Sequence, residues 1–426
     1  MSEMLDRSAR WISGAEAPSI SGLATQSGVD EVGDRVALVE AFSNVVAFDT
    51  DDGLVLFDVS HELFAPGALV NLRTWSSAPT HTAVYTHGHV DHTTGAAVFE
   101  AEAENAGGQT IRFVGHDLVA PRFDRYQLTN GYNGVINQRQ FRLPMPMFPS
   151  DFRYPDQSYS DRLRLDVGGR TFELAHARGE TDDHTWAWVP DVRAVCVGDL
   201  FIWQFPNAGN PQKVQRFAWE WAVALRAMAA LEPELLLPAH GPAIGGRDDV
   251  VAVLLNTASA LESLHEQVLM LMNAGARLDE VIHTVRLPEE LASLPYLAPT
   301  YDEPEFVVRN LWRLYGGWYD GNPAHLKPAP DAQVSAEVVA LSGGAAAVIA
   351  RARELAEAGD LRLATHLVEF AAAAEPDNPA AWGARAEIYS ARRDVERSFM
   401  ASGIFRSAAL DSQARVAELA SPADQT

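Results

Sequence analysis

The sequence predicts an α/β domain of layered strands and helices followed by an all-helical region. Three observations lead there. Short β-rich runs, set off by turn residues, alternate with helical stretches up to about residue 245. Beyond residue 247 the apolar periodicity is almost entirely helical. A chain of 426 residues is also long for one core and suggests two or three domains.

The elements follow in order. Residues 44–49 and 54–58 are β-rich and flank Thr50-Asp51-Asp52-Gly53, a turn signal. A helix over 65–75 leads to a short buried strand at 82–85. Residues 96–103 read as helix and 110–114 as strand. Hairpin-like pairs follow at 163–167 with 171–175, joined by Gly168-Gly169, and at 186–189 with 194–197. A helix over 215–231 precedes the apolar strand Leu235-Leu236-Leu237. Residues 121–161, rich in Tyr, Asn, Arg, Pro and Phe, show no sustained periodicity and are expected to form a long lid over a site. Three amphipathic helices, 345–358, 361–374 and 380–389, resemble a tetratricopeptide-like array.

Composition narrows the function. The chain is 47% hydrophobic, enough for a substantial core, and its charged fraction of 21% is ordinary for a soluble globular protein. A formal net charge of −24 leaves no basic excess for neutralising phosphates, so nucleic acid is not an expected partner. The single cysteine, Cys196, cannot form an intrachain disulfide and sits in an apolar strand. The first residues, with Asp6, Arg7, Arg10 and Glu16, carry no signal-like apolar run, and no segment has the length of a membrane span. A reduced cytoplasmic setting without membrane contact is the expectation.

The chemistry concentrates in Thr86-His87-Gly88-His89-Val90-Asp91-His92. Three imidazoles and a carboxylate within six positions, on a loop leaving a strand, are the ligand types zinc prefers. The spacing His-x-His-x-Asp-His resembles the signature of the metallo-β-lactamase superfamily. That resemblance implies an αββα sandwich and further ligands at later strand ends. Asp199 in Val197-Gly198-Asp199 fits the acidic position bridging two ions, and His240 in Pro238-Ala239-His240-Gly241 fits the last. Where most members carry a histidine, this chain has Glu180, with His176 and His184 as nearby competitors. The alkylsulfatase branch uses glutamate there, and the spacing from Glu180 to Asp199 is similar to that branch.

The resemblance therefore implies two Zn2+ per subunit: one on His87, His89 and Glu180, one on Asp91, His92 and His240, with Asp199 between them. With a bridging hydroxide such a centre is neutral, and Asp91 and Asp199 are its catalytic carboxylates. Asn207 and the arginines of the 121–161 segment, Arg122, Arg125, Arg139, Arg142 and Arg153, are candidates for holding a substrate anion. The run Leu311–Leu326, beginning Leu-Trp-Arg-Leu-Tyr-Gly-Gly-Trp-Tyr, resembles the opening of the dimerisation domain of zinc-dependent alkylsulfatases. It implies a homodimer in which Trp312, Tyr315, Trp318 and Tyr319 supply apolar area.

The expected layout is an N-terminal arm over 1–30, a catalytic domain over 31–280 and a helical dimerisation domain over 281–426. The expected activity is hydrolysis of an alkyl sulfate or related small ester. A lactonase, β-lactamase or phosphodiesterase on the same centre is the alternative, and a noncatalytic metal-stabilised assembly protein is a third. Family members acting on long alkyl sulfates continue into a sterol-carrier-like domain, and the sequence does not show one. Short or medium esters are therefore expected to serve at least as well as dodecyl sulfate. Phe123, Tyr126, Tyr132, Phe141, Met145, Met147 and Phe148 are expected to line the pocket.

Overall fold

A computed structural model describes residues 2–18, 28–107 and 110–421. They form two compact units, Met1–Asn130 with Pro149–Trp318, and Gly131–Phe148 with Tyr319–Thr426.

The first unit is built on two sheets. One has seven strands in sequence order: β1 (Gly28–Gly33), β2 (Val36–Glu40), β3 (Val45–Thr50), β4 (Gly53–Phe57), β5 (Thr80–Val84), β6 (Arg112–His116) and β7 (Gln157–Tyr159). Its first four strands pair antiparallel and the rest parallel. The other runs β13-β12-β11-β10-β9-β8 across the sheet. Its strands are β8 (Arg162–Val167), β9 (Arg170–His176), β10 (Thr185–Val189), β11 (Ala194–Gly198), β12 (Leu235–Pro238) and β13 (Ile244–Gly245). Only the β11–β12 pair is parallel.

The sheets face one another because alternate residues of their strands are apolar. Val36, Leu38, Val46, Phe48, Val55 and Phe57 from one sheet pack with Leu165, Phe172, Leu174, Ala187 and Cys196 from the other. Every residue of β2, β4 and β11 is buried, which requires cover on the outer faces too. Helix α1 (Glu3–Ile12) is followed by α2 (Ala65–Trp75), which covers the first sheet. Around the second, Val195 and Val197 join the buried faces of helices Ala218–Ala229 and Arg247–Asn273. The result is the αββα sandwich that the resemblance implies. Cys196 is a buried core residue.

One expectation changes, that of the irregular segment over 121–161. In the N-terminal arm, Trp11 of α1 is buried and meets Trp203 edge-on at 5.1 Å. Residues 19–27 of that arm lie outside the described residues. The expected lid over 121–161 is helical in its first half, with helices at Val119–Leu128 and Asn130–Phe141. Pro121 falls in the first helical turn, where no intrahelical N–H is needed, so it starts the helix instead of breaking it. Val119, Phe123 and Tyr126 then share the buried face at helical spacing.

The second unit is helical. Helices Asp331–Leu341, Ala345–Glu357, Leu361–Ala374 and Pro379–Val395 enclose a core of Val339, Val348, Ile349, Val368, Ala384 and Ile388. A last helix, Phe399–Ala420, packs on Pro379–Val395. Residues 131–148 belong to this unit: Arg142 donates to the Ser402 hydroxyl at 2.7 Å and Phe141 meets Phe399 at 6.2 Å. Helix α3 (Pro304–Gly316), by contrast, lies in the first unit, with Val307 and Leu311 in its core. Among the described residues no single helix is long and apolar enough to cross a membrane.

Candidate metal centre

The loops that leave β4, β5, β9, β11 and β12 gather at one edge of the sandwich, and their polar side chains converge. His87, His89, Glu180 and Asp199 form one group whose donor atoms lie within 4.8 Å of one another, and Asp91, His92 and His240 form a second. Glu180 Oε2 stands 3.3 Å from His87 Nε2 and 3.1 Å from His89 Nδ1. In the second group, Asp91 Oδ2 is 3.5 Å from both His92 Nε2 and His240 Nε2. The two carboxylate oxygens of Asp199 divide between the groups: Oδ1 faces His92 at 3.6 Å and His240 at 3.5 Å, and Oδ2 faces His87 at 3.9 Å.

These residues fit a metal. Ligand bonds of about 2.0–2.1 Å in a tetrahedral arrangement put neighbouring donors roughly 3.3 Å apart, close to what is seen. The atoms that would bind, His92 Nε2, Glu180 Oε2 and Asp199 Oδ1, are buried without a hydrogen-bond partner. Buried polar atoms are rarely left so unless something else satisfies them. Burial holds His89 down at about 4, despite the Glu180 charge, which favours the neutral imidazole that coordinates a metal.

Supporting groups fix each ring. Asp58, in a left-handed conformation (φ 61°) beyond β4, takes the Thr86 amide on one oxygen at 2.7 Å. Its other oxygen meets the Thr86 hydroxyl and His92 Nδ1, both at 2.8 Å. That leaves His92 Nε2 for the ion, in the carboxylate–histidine–metal arrangement that orients a ligand ring. His240 Nδ1 donates to the Phe42 carbonyl at 2.7 Å. Asn44 ties the His240 loop down, donating to the carbonyls of Pro238 and Gly241 at 3.0 and 2.8 Å. At the turn into Asp199, Gly198 has φ 54°, and a Cβ there would lie 2.7 Å from the His184 ring and 2.8 Å from Thr86.

The competitors of Glu180 lie outside the ligand groups. His184 stacks on His87 at 4.8 Å, and its Nε2 accepts the Asp199 amide at 3.2 Å, so it supports two of the clustered residues. His176 stacks on His116 at 3.7 Å and pairs with the His184 carbonyl.

The expected anion-binding arginines are mostly engaged elsewhere. Arg122 is buried and bound to Asp182 and Asp183, and Asp183 also accepts the Gly88 amide at 3.0 Å, so the trio shapes the histidine loop. Arg153 pairs with Glu100 and Asp156. Arg125 lies over the Tyr126 ring. Arg139 and Arg142 are in the second unit, where Arg142 binds Ser402 and lies over Phe399. Phe123, expected to line a pocket, is a fully buried core ring stacked on Phe152 at 4.8 Å. Asn207 is at the centre, but as a donor to Glu180 Oε1 at 2.5 Å.

Three residues were not anticipated. Arg216, 2% exposed, donates to the same Glu180 oxygen at 2.6 Å. Lys213 in the same loop has Arg216, Asp91, Glu180 and Arg122 as charged neighbours, and burial takes its ammonium down to about 8. Asp58 closes the apolar strand Leu54-Val55-Leu56-Phe57, and that position after a buried strand was the signal available for it.

The fold and this centre define a class. Residues 38–240 match the metallo-beta-lactamase superfamily model, and that part of the chain is a metallo-beta-lactamase-like domain. A second part, residues 277–414, matches the model for alkyl sulfatase dimerisation. The chain is 26% identical to a linear primary-alkylsulfatase of Pseudomonas sp. over 80% of this chain and 68% of that one. It is equally 26% identical to an (R)-specific secondary-alkylsulfatase of Pseudomonas sp., over 79% of this chain and 55% of that one. The solved stereoselective inverting sec-alkylsulfatase Pisa1 from Pseudomonas sp. shares the fold, with a TM-score of 0.82 and 24% identity over 91% of this chain and 65% of that one. The chain thus spans between about half and two thirds of the length of these relatives.

Proposed function

We propose that this protein is a dinuclear zinc hydrolase of sulfate esters, acting on an alkyl sulfate or a related small ester. The observation that carries the reading is the division of Asp199 between two ligand groups, one containing Glu180. A structural zinc site is closed by four ligands, and seven converging donors exceed that need. Two zinc ions held there would supply Lewis acidity and lower the pKa of a bound water to about 7.

The chain's own groups do the rest. Half-buried Asp91 and buried Asp199, flanked by imidazoles, stay ionised: desolvation raises them, but His92 and His240 more than offset it. As acceptors they orient a water's hydrogens and leave its lone pair free. Lys213, whose charged neighbours include Asp91 and Glu180, would hold the anionic end of a substrate and the charge that develops on it. The substrate is a small molecule, and the dimerisation region pairs two copies of the chain.

The test is sulfate release from C6 to C12 alkyl sulfates by chelator-stripped protein before and after zinc is restored. Zinc-dependent release supports the reading. Turnover of lactones or phosphodiesters without any sulfate release would move the protein to another hydrolase class on the same centre. Lys213→Met should raise KM for an anionic ester at least tenfold while leaving zinc content unchanged.

A further inference from the structure

Glu180 brings a problem that an imidazole ligand does not. A carboxylate has two oxygens and about four lone-pair sites, so it can chelate one ion, bridge two or rotate between these states. It also adds a negative charge to a centre that already holds the carboxylates of Asp91 and Asp199.

The structure answers both points on one side of the carboxylate. Glu180 Oε1 accepts from Asn207 Nδ2 at 2.5 Å and from Arg216 Nη1 at 2.6 Å, leaving Oε2 alone to face His87 and His89. The guanidinium cancels the added charge within the pair, whose side chains are each 3% exposed. The clamp is itself held. Arg216 Nη1 also donates to the Asn207 carbonyl at 2.5 Å, and Asn310 of α3 donates to the carbonyls of Ala208 and Arg216 at 2.8 and 2.9 Å. The Gly209 amide donates to Asp302 Oδ2 at 2.6 Å.

We propose that Arg216, with Asn207, is a positioning residue that confines Glu180 to single-oxygen ligation of the ion shared with His87 and His89. Occupancy of that one site therefore depends on Arg216, and the site of Asp91, His92 and His240 does not. The inference rests on the dinuclear reading above.

The experiment is zinc titration of stripped full-length protein against a chromophoric chelator, with cobalt spectra as a second readout. The wild type, Arg216→Met, Arg216→Lys and Asn207→Ala are compared. The expected result is two ions on the wild type and one site weakened about tenfold or more by Arg216→Met, the range seen when groups behind a ligand are removed. Asn207→Ala should weaken the same site less, and Arg216→Lys should restore part of the loss. The cobalt spectrum should change for one ion only. If Arg216→Met does not fold, Asn207→Ala and Arg216→Lys carry the test. Two ions bound with wild-type affinity and spectrum in every folded variant would overturn the inference. A wild type that binds fewer than two ions would instead overturn the dinuclear reading.

Discussion

At the residue scale, the centre depends on side chains that touch no metal. Asp58 holds His92 through Nδ1 and the histidine loop through the Thr86 amide. In Asp58→Asn, one amide oxygen can still accept from Thr86, but the amide nitrogen cannot accept from His92. Losses of about 10–100-fold in metal affinity follow such changes, and competition with a chelator should show this for the His92 ion. Gly198 gives a second case. Its φ of 54° disfavours any side chain, and a methyl group would overlap His184 and Thr86. The left-handed conformation alone costs a non-glycine residue roughly 1–2 kcal/mol, and the overlap adds to it. Gly198→Ala should therefore lower unfolding stability by about 2 kcal/mol or more and reduce zinc content. Denaturant melts beside metal analysis would check it, and unchanged values would show that the turn tolerates a side chain.

At the element scale, the loop from Asp199 to Arg216 takes its shape from the segment that begins α3. Asp302 is the joint: its two oxygens accept the amides of Gly209 and Glu303. Burial pushes its carboxyl up to about 7, against those bonds, from an ordinary value of 3.8. The folded protein thus keeps a proton there that the unfolded chain releases above 3.8. The stability this contributes is complete below 3.8 and is lost as pH rises through 7. Compared with Asp302→Asn, the wild type should lose stability between pH 5 and pH 8, measured by denaturant unfolding. A constant difference between the two would show that Asp302 is ionised throughout. This joint also shows what the sequence made legible. His87, His89, Asp91 and His92 sit on one loop, so their spacing alone announced a metal site. Glu180, Asp199 and His240 followed from a family pattern of strand ends. Arg216, Lys213 and Asp302 reach the centre only through tertiary packing, and nothing in their local sequence marks them. The 121–141 helices were missed for another reason: Pro121 and scattered polar residues hid a buried stripe of Val119, Phe123 and Tyr126.

At the scale of the whole molecule, two compact units share one chain, and the candidate ligands all belong to the first. The exposed aromatics Trp318 (70%) and Tyr315 (48%) remain available for an interface, whereas Trp312 is buried in the core of the first unit and is removed from that role. Light scattering at micromolar concentration should give a dimer, and Trp318→Ala should weaken it. A wild-type monomer would reject the pairing. Metal removal probes the division between the units. Without cations the first unit brings together Asp91, Glu180 and Asp199, the last two buried, at a cost that bound ions offset. A ligand at a hundred times its Kd stabilises the folded state by about 2.7 kcal/mol, so stripping two ions should lower the melting temperature by several degrees. The loss should also be local, since opening free energies differ across a structure. Hydrogen exchange after chelation should rise in residues 86–93, 180–184, 198–216 and 239–242. It should stay unchanged in the helices from Asp331 to Ala420, which contribute no ligand. Equal acceleration in both units would mean that they unfold as one cooperative body, and no change in the loops would argue that no metal is held there.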